Sequence, residues 1–170
     1  SLGGSGTEKT LVADEVTAGA HTSGSMFWVN KINMVGAPVD QIHMWASTGT
    51  ASALGPGCYA SGSTMYATRD NALADLITTT APAAGEHAYL LTWDTSGVEL
   101  WCDGEVIGSS TVDVTAAAIK RWCFGIFPSL SGGHPWDSKW YESRTGTTHL
   151  TGTDVDDLFA YAAARYGTAS

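Results

Sequence analysis

The segment formed by residues 129–137, which reads SLSGGHPWD, contains the residue types from which a sugar-binding site can be built. Trp136 offers a flat aromatic surface, and His134 and Asp137 offer polar groups beside it. Loops that a rigid scaffold presents often carry function, and two glycines give this loop backbone freedom. The alternative is that Pro135 and Trp136 plug one end of the fold. We predict His134, Trp136 and Asp137 as candidate contacts for a glycan or a protein partner.

Trp45 and Arg69 are two further candidate contacts for a glycan or a partner. Trp45 lies in residues 41–46, where Ile42 and Met44 alternate with polar residues, and its phase is opposite to theirs. It is therefore expected on the solvent side of a strand or buried against a partner, and exposed tryptophans commonly anchor interfaces. Arg69 is expected at the polar rim of such a surface.

The sequence lacks the motifs of several common classes of enzyme. It has no alternating run of carboxylates for sugar hydrolysis, no G-x-S-x-G, no P-loop and no H-E-x-x-H. Glu99 and Asp103 are four residues apart, but we expect a solvent-facing strand residue and a turn residue. A Ser-His-Asp set assembled from distant residues stays open, because its geometry does not depend on sequence order. We predict that the chain is not an enzyme.

The densest group of carboxylates consists of Asp154, Asp156 and Asp157. Calcium requires such clustered oxygen ligands, but acidic residues are also favoured in the first turn of a helix, where the helix dipole attracts them. The helix explains this group better. Asp70 with Asn71 is a second candidate and is expected as a turn. We therefore predict neither a metal nor a cofactor.

Composition and charge limit the class of protein. The chain has 170 residues, of which 44% are hydrophobic and 15% charged, as expected for one globular domain. Eight Lys and Arg against 17 Asp and Glu give a net charge of −9. Such a chain repels phosphate, which argues against nucleic acid and anionic membranes as partners. We expect a flexible leader over residues 1–9 and one domain over residues 10–170.

The three cysteines, Cys58, Cys102 and Cys123, are an odd number without CxxC spacing. This pattern argues against a disulfide framework and against a zinc site. We interpret them as small buried hydrophobic residues. A bridge between Cys102 and Cys123 is the leading alternative.

Short apolar stretches separated by Gly, Ser and Thr predict an all-β fold. Asp103-Gly104 is the clearest turn, because a type I′ hairpin needs positive φ at both central residues. Gly62 marks a second tight hairpin. The tryptophans expected in the core or on sheet faces are Trp28, Trp93, Trp101, Trp122 and Trp140. The predicted strands cover residues 10–16, 26–35, 41–46, 57–61, 64–69, 76–80, 87–94, 98–102, 105–109, 121–127 and 138–144.

The C-terminal segment changes to a helical period. Thr153 or Asp154 is the expected N-cap, and Arg165 and Gly167 mark the last turn and its αL stop. A lone helix after many strands should pack on a sheet or across its edge. Its apolar stripe consists of Val155, Leu158, Phe159, Ala162 and Tyr166.

The hairpin around Asp103-Gly104 resembles the most diagnostic hairpin of the concanavalin A-like lectin/glucanase superfamily, in its LamG-type jelly rolls. The residues that carry this resemblance are His87, Leu90, Trp93 and Asp94, followed by Val98, Leu100, Trp101, Asp103, Gly104 and Ile107. The tail over residues 154–167 is also similar to the helix that ends such domains, and MFWVNKI is similar to their early strand. Residues 48–84 match no pattern of the family. The resemblance implies a two-sheet antiparallel jelly-roll sandwich with a short C-terminal helix.

LamG-type domains bind glycans or proteins and also occur as accessory domains in phage virions. The resemblance therefore implies a non-catalytic structural and adhesion protein. We predict a virion surface component, as capsid decoration or tail accessory, because the domain stands alone, shows no export signal and has unpaired cysteines. It would assemble in multiple copies with other virion proteins and take host glycan as a further partner. The alternative is a carbohydrate-binding module of a secreted or cell-surface protein. Both place the chain on a virion surface or outside the cell.

Overall fold

The computed structural model describes residues 11–14, 22–32, 41–47, 54–69, 75–114, 121–124 and 138–169. Within them the chain forms eleven strands and then one helix. The first six strands are β1 (Leu11–Asp14), β2 (Gly24–Ile32), β3 (Gln41–Ser47), β4 (Leu54–Ser61), β5 (Thr64–Thr68) and β6 (Asp75–Thr80). The remaining elements are β7 (Gly85–Asp94), β8 (Gly97–Cys102), β9 (Glu105–Ser110), β10 (Arg121–Phe124), β11 (Ser138–Gly146) and α1 (Thr153–Tyr166).

The strands form two antiparallel sheets. One sheet has six strands in the order β1-β10-β3-β4-β5-β6, and the other has five in the order β11-β2-β7-β8-β9. Residues 48–84, which match no pattern of the family, supply β4, β5 and β6 of the first sheet. This architecture confirms the predicted all-β sandwich with a short C-terminal helix. The described helix, α1, is not long and apolar enough to cross a membrane.

The two sheets enclose a core of large apolar side chains. Trp28 on β2 stacks on Tyr89 on β7 with ring centroids 5.2 Å apart, and both are fully buried. The predicted core positions Trp93 and Trp122 are buried as well, whereas Trp140 is partly buried against this core. The buried members of the core are Met26, Trp28, Cys58, Met65, Ala67, Ile77, Tyr89, Leu91, Trp93, Val98, Leu100, Cys102, Val114 and Trp122.

Helix α1 covers the outer face of the five-stranded sheet, which confirms that it packs on a sheet. Strands β2 and β7 are therefore buried on both faces, and this explains their continuous apolar runs. The predicted N-cap at Thr153 or Asp154 is wrong: the helix begins after Gly152, without a side-chain cap. The predicted αL stop at Gly167 is confirmed, with φ of 73°. The buried residues of this second cluster are Phe27, Val29, Ala88, Leu90, Val155, Phe159 and Ala162.

The two hairpin turns form where the sequence predicts them. Asp103 and Gly104 have φ of 51° and 87°, the two positive values that a type I′ turn requires. Gly62 has φ of 58° between β4 and β5. In β3 the backbone register against β4 shifts between Ile42, opposite Tyr59, and Met44, opposite Cys58. The side chains of β3 are not described, so their predicted alternation stays a prediction.

The cysteines agree with the buried interpretation as far as they are described. Cys58 and Cys102 are buried free thiols, so the alternative bridge between Cys102 and Cys123 is wrong. Cys102 lies on β8 of the five-stranded sheet and Cys123 on β10 of the other. The predicted leader over residues 1–9 lies outside the described residues and stays a prediction.

Candidate functional site

The five predicted contact residues are described to different extents. His134, Trp136 and Asp137 lie outside the described residues, and the side chain of Trp45 is not described either. The backbone of Trp45 pairs with Gly57 on β4, and Gly57 in turn pairs with Thr68 on β5. Arg69 directly follows Thr68 and is exposed. The structure thus brings the backbones of Trp45 and Arg69 to one part of the six-stranded sheet, while the role of all five residues stays a prediction.

A different cluster of polar and aromatic residues lies on the outer face of the five-stranded sheet, beside α1. We call it the tyrosine face. It includes three tyrosines, four cations and two carboxylates. Strands β2, β7 and β11 and helix α1 contribute to it. Its members are Lys31, Glu86, Lys139, Tyr141, Glu142, Arg144, Tyr161, Arg165 and Tyr166.

A β-bulge in β11 places two successive residues on this face. Trp140 pairs with Asn30 and Glu142 with Val29, so Tyr141 is the extra residue between them. Trp140 packs against the core between the sheets, whereas Tyr141 packs against the cluster beneath α1. Regular alternation would have sent Glu142 to the inner side. The bulge instead sets the Glu142 carboxylate beside the Tyr141 ring on the outer face.

Glu142 accepts from three donors, and two of them, Tyr161 and Tyr166, join β11 to α1. The hydroxyls of Tyr166 and Tyr161 donate to its Oε2 at 2.5 Å and 2.8 Å, and Arg144 Nε donates to its Oε1 at 2.5 Å. Burial opposes the charge of Glu142, but these three donors outweigh it and lower the pKa of the carboxyl. Burial and the hydrogen bond to Glu142 raise the pKa of Tyr166 to about 12. At neutral pH the carboxylate is charged and the Tyr166 phenol is neutral.

Glu86 organises the other half of the face. The Tyr141 hydroxyl donates to its Oε1 at 3.0 Å, and Lys31 Nζ lies 3.3 Å from the same oxygen. The hydrogen bonds from Tyr141 and Lys31 lower the pKa of Glu86. Lys139 Nζ lies 4.7 Å from the centroid of the Tyr141 ring, within cation–π range. Each carboxylate of the face is thus held by hydroxyls and cations together.

The three tyrosine rings are contiguous. The Tyr141 and Tyr166 centroids are 5.4 Å apart, and those of Tyr161 and Tyr166 are 6.4 Å apart at nearly a right angle. Arg144 lies 4.5 Å from the Tyr161 centroid, and Arg165 lies 5.5 Å from that of Tyr166. All three rings are partly exposed. The face therefore presents aromatic surface and hydrogen-bonding groups side by side, the combination that sugar sites use.

A second polar cluster surrounds the Asp103 turn. His87 Nδ1 lies 2.6 Å from Asp103 Oδ2, and His87 Nε2 lies 2.9 Å from the Ala83 carbonyl oxygen. Both partners are acceptors, so the ring donates to both of them only in its protonated form, and the hydrogen bond to Asp103 raises the pKa of His87. Cys102 Sγ lies 3.9 Å from His87 Nδ1.

Within the described residues, His87, Cys102 and Asp103 are the group whose donor atoms lie within 4.8 Å of one another. A metal would need a free Nδ1 and a thiolate. Nδ1 is bound to Asp103, and burial raises the pKa of the Cys102 thiol. The arrangement fits a set of hydrogen bonds that stabilises the hairpin better than it fits a metal centre.

Two antiparallel sheets and a helix on one outer face define a β-sandwich fold. The binding domain of botulinum neurotoxin DC in complex with SialylT superposes with a TM-score of 0.71, at 14% identity over 94% of this chain and 41% of that chain. The ligand-binding domain of botulinum neurotoxin serotype D in complex with N-acetylneuraminic acid gives a TM-score of 0.69, at 12% identity over 93% of this chain and 41% of that chain.

The fold of an enzyme is also similar to that of this chain. Trypanosoma rangeli sialidase in complex with 2,3-difluorosialic acid gives a TM-score of 0.66, at 14% identity over 88% of this chain and 24% of that chain. The chain thus spans about a quarter of the sialidase and two fifths of the neurotoxin domains. At these identities the likeness shows the fold.

No protein-family model matches the sequence, and no curated protein matches it either.

Proposed function

We propose that this chain is a non-catalytic glycan-binding domain and that the tyrosine face contacts the sugar. The observation that carries the proposal is the contiguous set of Tyr141, Tyr166 and Tyr161 rings on one outer face. Sugars pack their C–H faces on aromatic rings, while nearby polar groups bond their hydroxyls. A binding site of this kind needs partly exposed rings fixed in position, and the hydrogen bonds to Glu86 and Glu142 fix these rings.

Three other findings support glycan binding. The neurotoxin domains of similar fold are in complex with SialylT and with N-acetylneuraminic acid. The sialidase of similar fold is in complex with a sialic acid derivative. The LamG-type resemblance of the hairpin around Asp103 also implies a fold that binds glycans. These similarities concern other proteins. The tyrosine face is the feature of this chain itself that supports glycan binding.

The chemistry of the face supports binding rather than hydrolysis. A general acid for glycoside cleavage needs a carboxyl group whose pKa is raised, so that it holds a proton near neutral pH. The pKa values of Glu86 and Glu142 are both lowered. Burial and the hydrogen bond to Glu142 raise the pKa of Tyr166 to about 12, so its phenol stays neutral near neutral pH.

A glycan array followed by calorimetry on the best ligand tests the proposal. We expect Tyr141→Ala to weaken binding by about tenfold or more, the loss of about 1.4 kcal/mol that one stacking contact provides. The matched control is Tyr66→Ala, which removes a tyrosine that stacks on Tyr59 in the other sheet. Binding should survive that change.

The proposal would be wrong if no glycan bound, or if Tyr141→Ala and Tyr66→Ala had equal effects. The same assay also tests alanine variants of the predicted contacts Trp45, Arg69 and Trp136. If Trp136→Ala abolished binding while Tyr141→Ala preserved it, the sugar site would lie at residues 129–137 instead.

A virion surface component, as capsid decoration or tail accessory, is the second candidate. The observation that favours it is exposed apolar surface at one edge of the five-stranded sheet. Val106 on β9 is 45% exposed and Val112 just after β9 is 42% exposed. Such an edge can pair with further copies of the chain or with other virion proteins. Light scattering across a concentration series tests it: we expect an oligomer that Val106→Glu dissociates, and a monomer at every concentration would argue against it.

A further inference from the structure

We infer that the ligand of the tyrosine face is an acidic glycan, one that carries a carboxylate or sulfate group. This inference rests on the proposed function and adds the chemical class of the ligand. It is carried by the distribution of charge on the face, which is opposite to that of the chain.

The face concentrates positive charge in an acidic protein. The chain carries a net charge of −9 with only eight Lys and Arg residues. Four of those eight lie on this face, against two carboxylates, so these side chains together carry two positive charges. The four cations are Lys31, Lys139, Arg144 and Arg165.

The cations lie further out than the carboxylates. The side chains of Arg144 and Lys31 are 50% and 44% exposed, whereas those of Glu142 and Glu86 are 18% and 35% exposed. Lys139 and Arg165 are exposed as well. An approaching ligand therefore meets the cations before it meets the carboxylates.

The carboxylates are also occupied by donors of the protein itself. Glu142 accepts from Tyr166, Tyr161 and Arg144, and Glu86 accepts from Tyr141 and Lys31. The ion pairs with Lys31 and Arg144 offset the charges of Glu86 and Glu142, which reduces their repulsion of an anion at the outer surface. Lys139 and Arg165 then provide the net positive charge of the face.

Two exposed cations are placed against the same rings that the proposed function assigns to the sugar. Lys139 Nζ lies 4.7 Å from the Tyr141 centroid. Arg165 lies 5.5 Å from the Tyr166 centroid, and its Nε donates to the Tyr166 hydroxyl at 3.0 Å. Arg165 keeps its other N–H groups for a ligand, and a guanidinium binds a carboxylate or sulfate through two parallel hydrogen bonds. A glycan that contacts these rings therefore reaches a cation at the same time.

The test is an array in which sialylated, uronate-containing and sulfated oligosaccharides are each printed beside their neutral cores. We expect each bound acidic glycan to exceed its core by about tenfold at low salt, with the difference shrinking as ionic strength rises, because exposed charges are screened. The three acidic groups distinguish carboxylate from sulfate as the preferred anion. For a carboxylate ligand, its methyl ester is the neutral comparison of nearly the same shape.

Arg165→Gln and Lys139→Gln should each reduce the preference for the acidic form, while binding of the neutral core changes little. Arg121→Gln removes a cation from β10 in the other sheet and controls for net charge, so it should leave the preference intact. If the acid and its neutral core bound equally, and Tyr141→Ala weakened both, the inference would be overturned while glycan binding stood. If neither form bound, both the inference and the proposed function would be overturned.

Discussion

His87 and Asp103 form an ion pair, with His87 Nδ1 2.6 Å from Asp103 Oδ2, that ties the start of β7 to the turn between β8 and β9. The other carboxylate oxygen, Oδ1, accepts the backbone N–H of Ala88 at 2.8 Å. The Asp103 backbone N–H in turn donates to the Ala88 carbonyl at 2.9 Å. Asp103 therefore shapes the turn with its backbone and pins it to β7 with its side chain.

We predict that this ion pair makes stability depend on pH. The hydrogen bond to Asp103 raises the pKa of His87 above its ordinary value. A group whose pKa is raised by folding contributes fully below its unfolded pKa, about 6.5, and loses the contribution as pH rises through the folded pKa. Urea denaturation should therefore show the largest difference in free energy of unfolding between the wild type and His87→Ala near pH 6. This difference should decrease by about 1 kcal/mol towards pH 9.

The matched control for this pH dependence is Asp103→Asn, which removes the negative charge that raises the pKa of His87. Stability of that variant should lose the part of the pH dependence that His87 causes. A difference between the wild type and His87→Ala that stayed constant over this pH range would contradict the ion pair.

We also predict unequal costs for two substitutions of Asp103. Asp103→Ala removes the acceptors of His87 and of the Ala88 N–H and places alanine at a φ of 51°. We expect it to lower the free energy of unfolding by about 2–4 kcal/mol. Asp103→Asn keeps one acceptor oxygen and tolerates positive φ, so it should cost about 1–2 kcal/mol. Denaturation at a pH near 6 measures both, and equal costs would show that the acceptor oxygen and the tolerance of positive φ that asparagine retains contribute nothing to stability.

The fold was largely predictable because its signals are local. The positive φ values at Asp103 and Gly104, the spacing of β7 and β8, and the helical stripe from Val155 all follow from patterns within a few residues. Strand ends were less predictable: β2 begins at Gly24, where the packing of Trp93 against the backbone leaves no room for a Cβ atom. Such a contact between distant residues has no local signal.

The tyrosine face was not predicted, because two non-local features create it. The bulge at Tyr141 has no signature in the sequence SKWYESR, and without it Glu142 would face the other side of the sheet. The second feature is the docking of α1, which brings Tyr161 and Tyr166 to a carboxylate about twenty residues earlier in the chain. One signal was available: Tyr161 and Arg165 are four residues apart on a helix, and such residues are neighbours.

We predict a strong coupling between Gly108 on β9 and Ile77 on β6. A Cβ at Gly108 would lie 2.3 Å from Ile77 Cγ2, and Ile77 is 3% exposed. Gly108→Ala should therefore cost about 1–3 kcal/mol through overpacking, and Ile77→Ala about 2–5 kcal/mol through a cavity. Ile77→Ala removes Cγ2, and the remaining Cβ would lie 3.6 Å from the new methyl, an ordinary contact.

In the double variant the new methyl of Gly108→Ala fills part of the space that Ile77→Ala opens. The loss in free energy of unfolding of the double variant should therefore be smaller than the sum of the two single losses by about 1–3 kcal/mol. Urea denaturation of the four proteins measures this difference. Simple additivity would mean that β6 and β9 do not pack as closely as the structure indicates.

We finally predict that the hydroxyl of Tyr166 holds α1 on β11. Tyr166→Phe keeps the ring and removes the donor to Glu142 Oε2, leaving that carboxylate with Tyr161 and Arg144. Because Glu142 is largely buried and charged, we expect a loss of about 1–2 kcal/mol in the free energy of unfolding. Arg165→Gln is the control, since an exposed cation near a hydroxyl should cost less than about 0.5 kcal/mol. Hydrogen exchange of α1 amides adds a local measurement: faster exchange in Tyr166→Phe is expected, and unchanged stability and exchange would mean that apolar packing alone holds the helix.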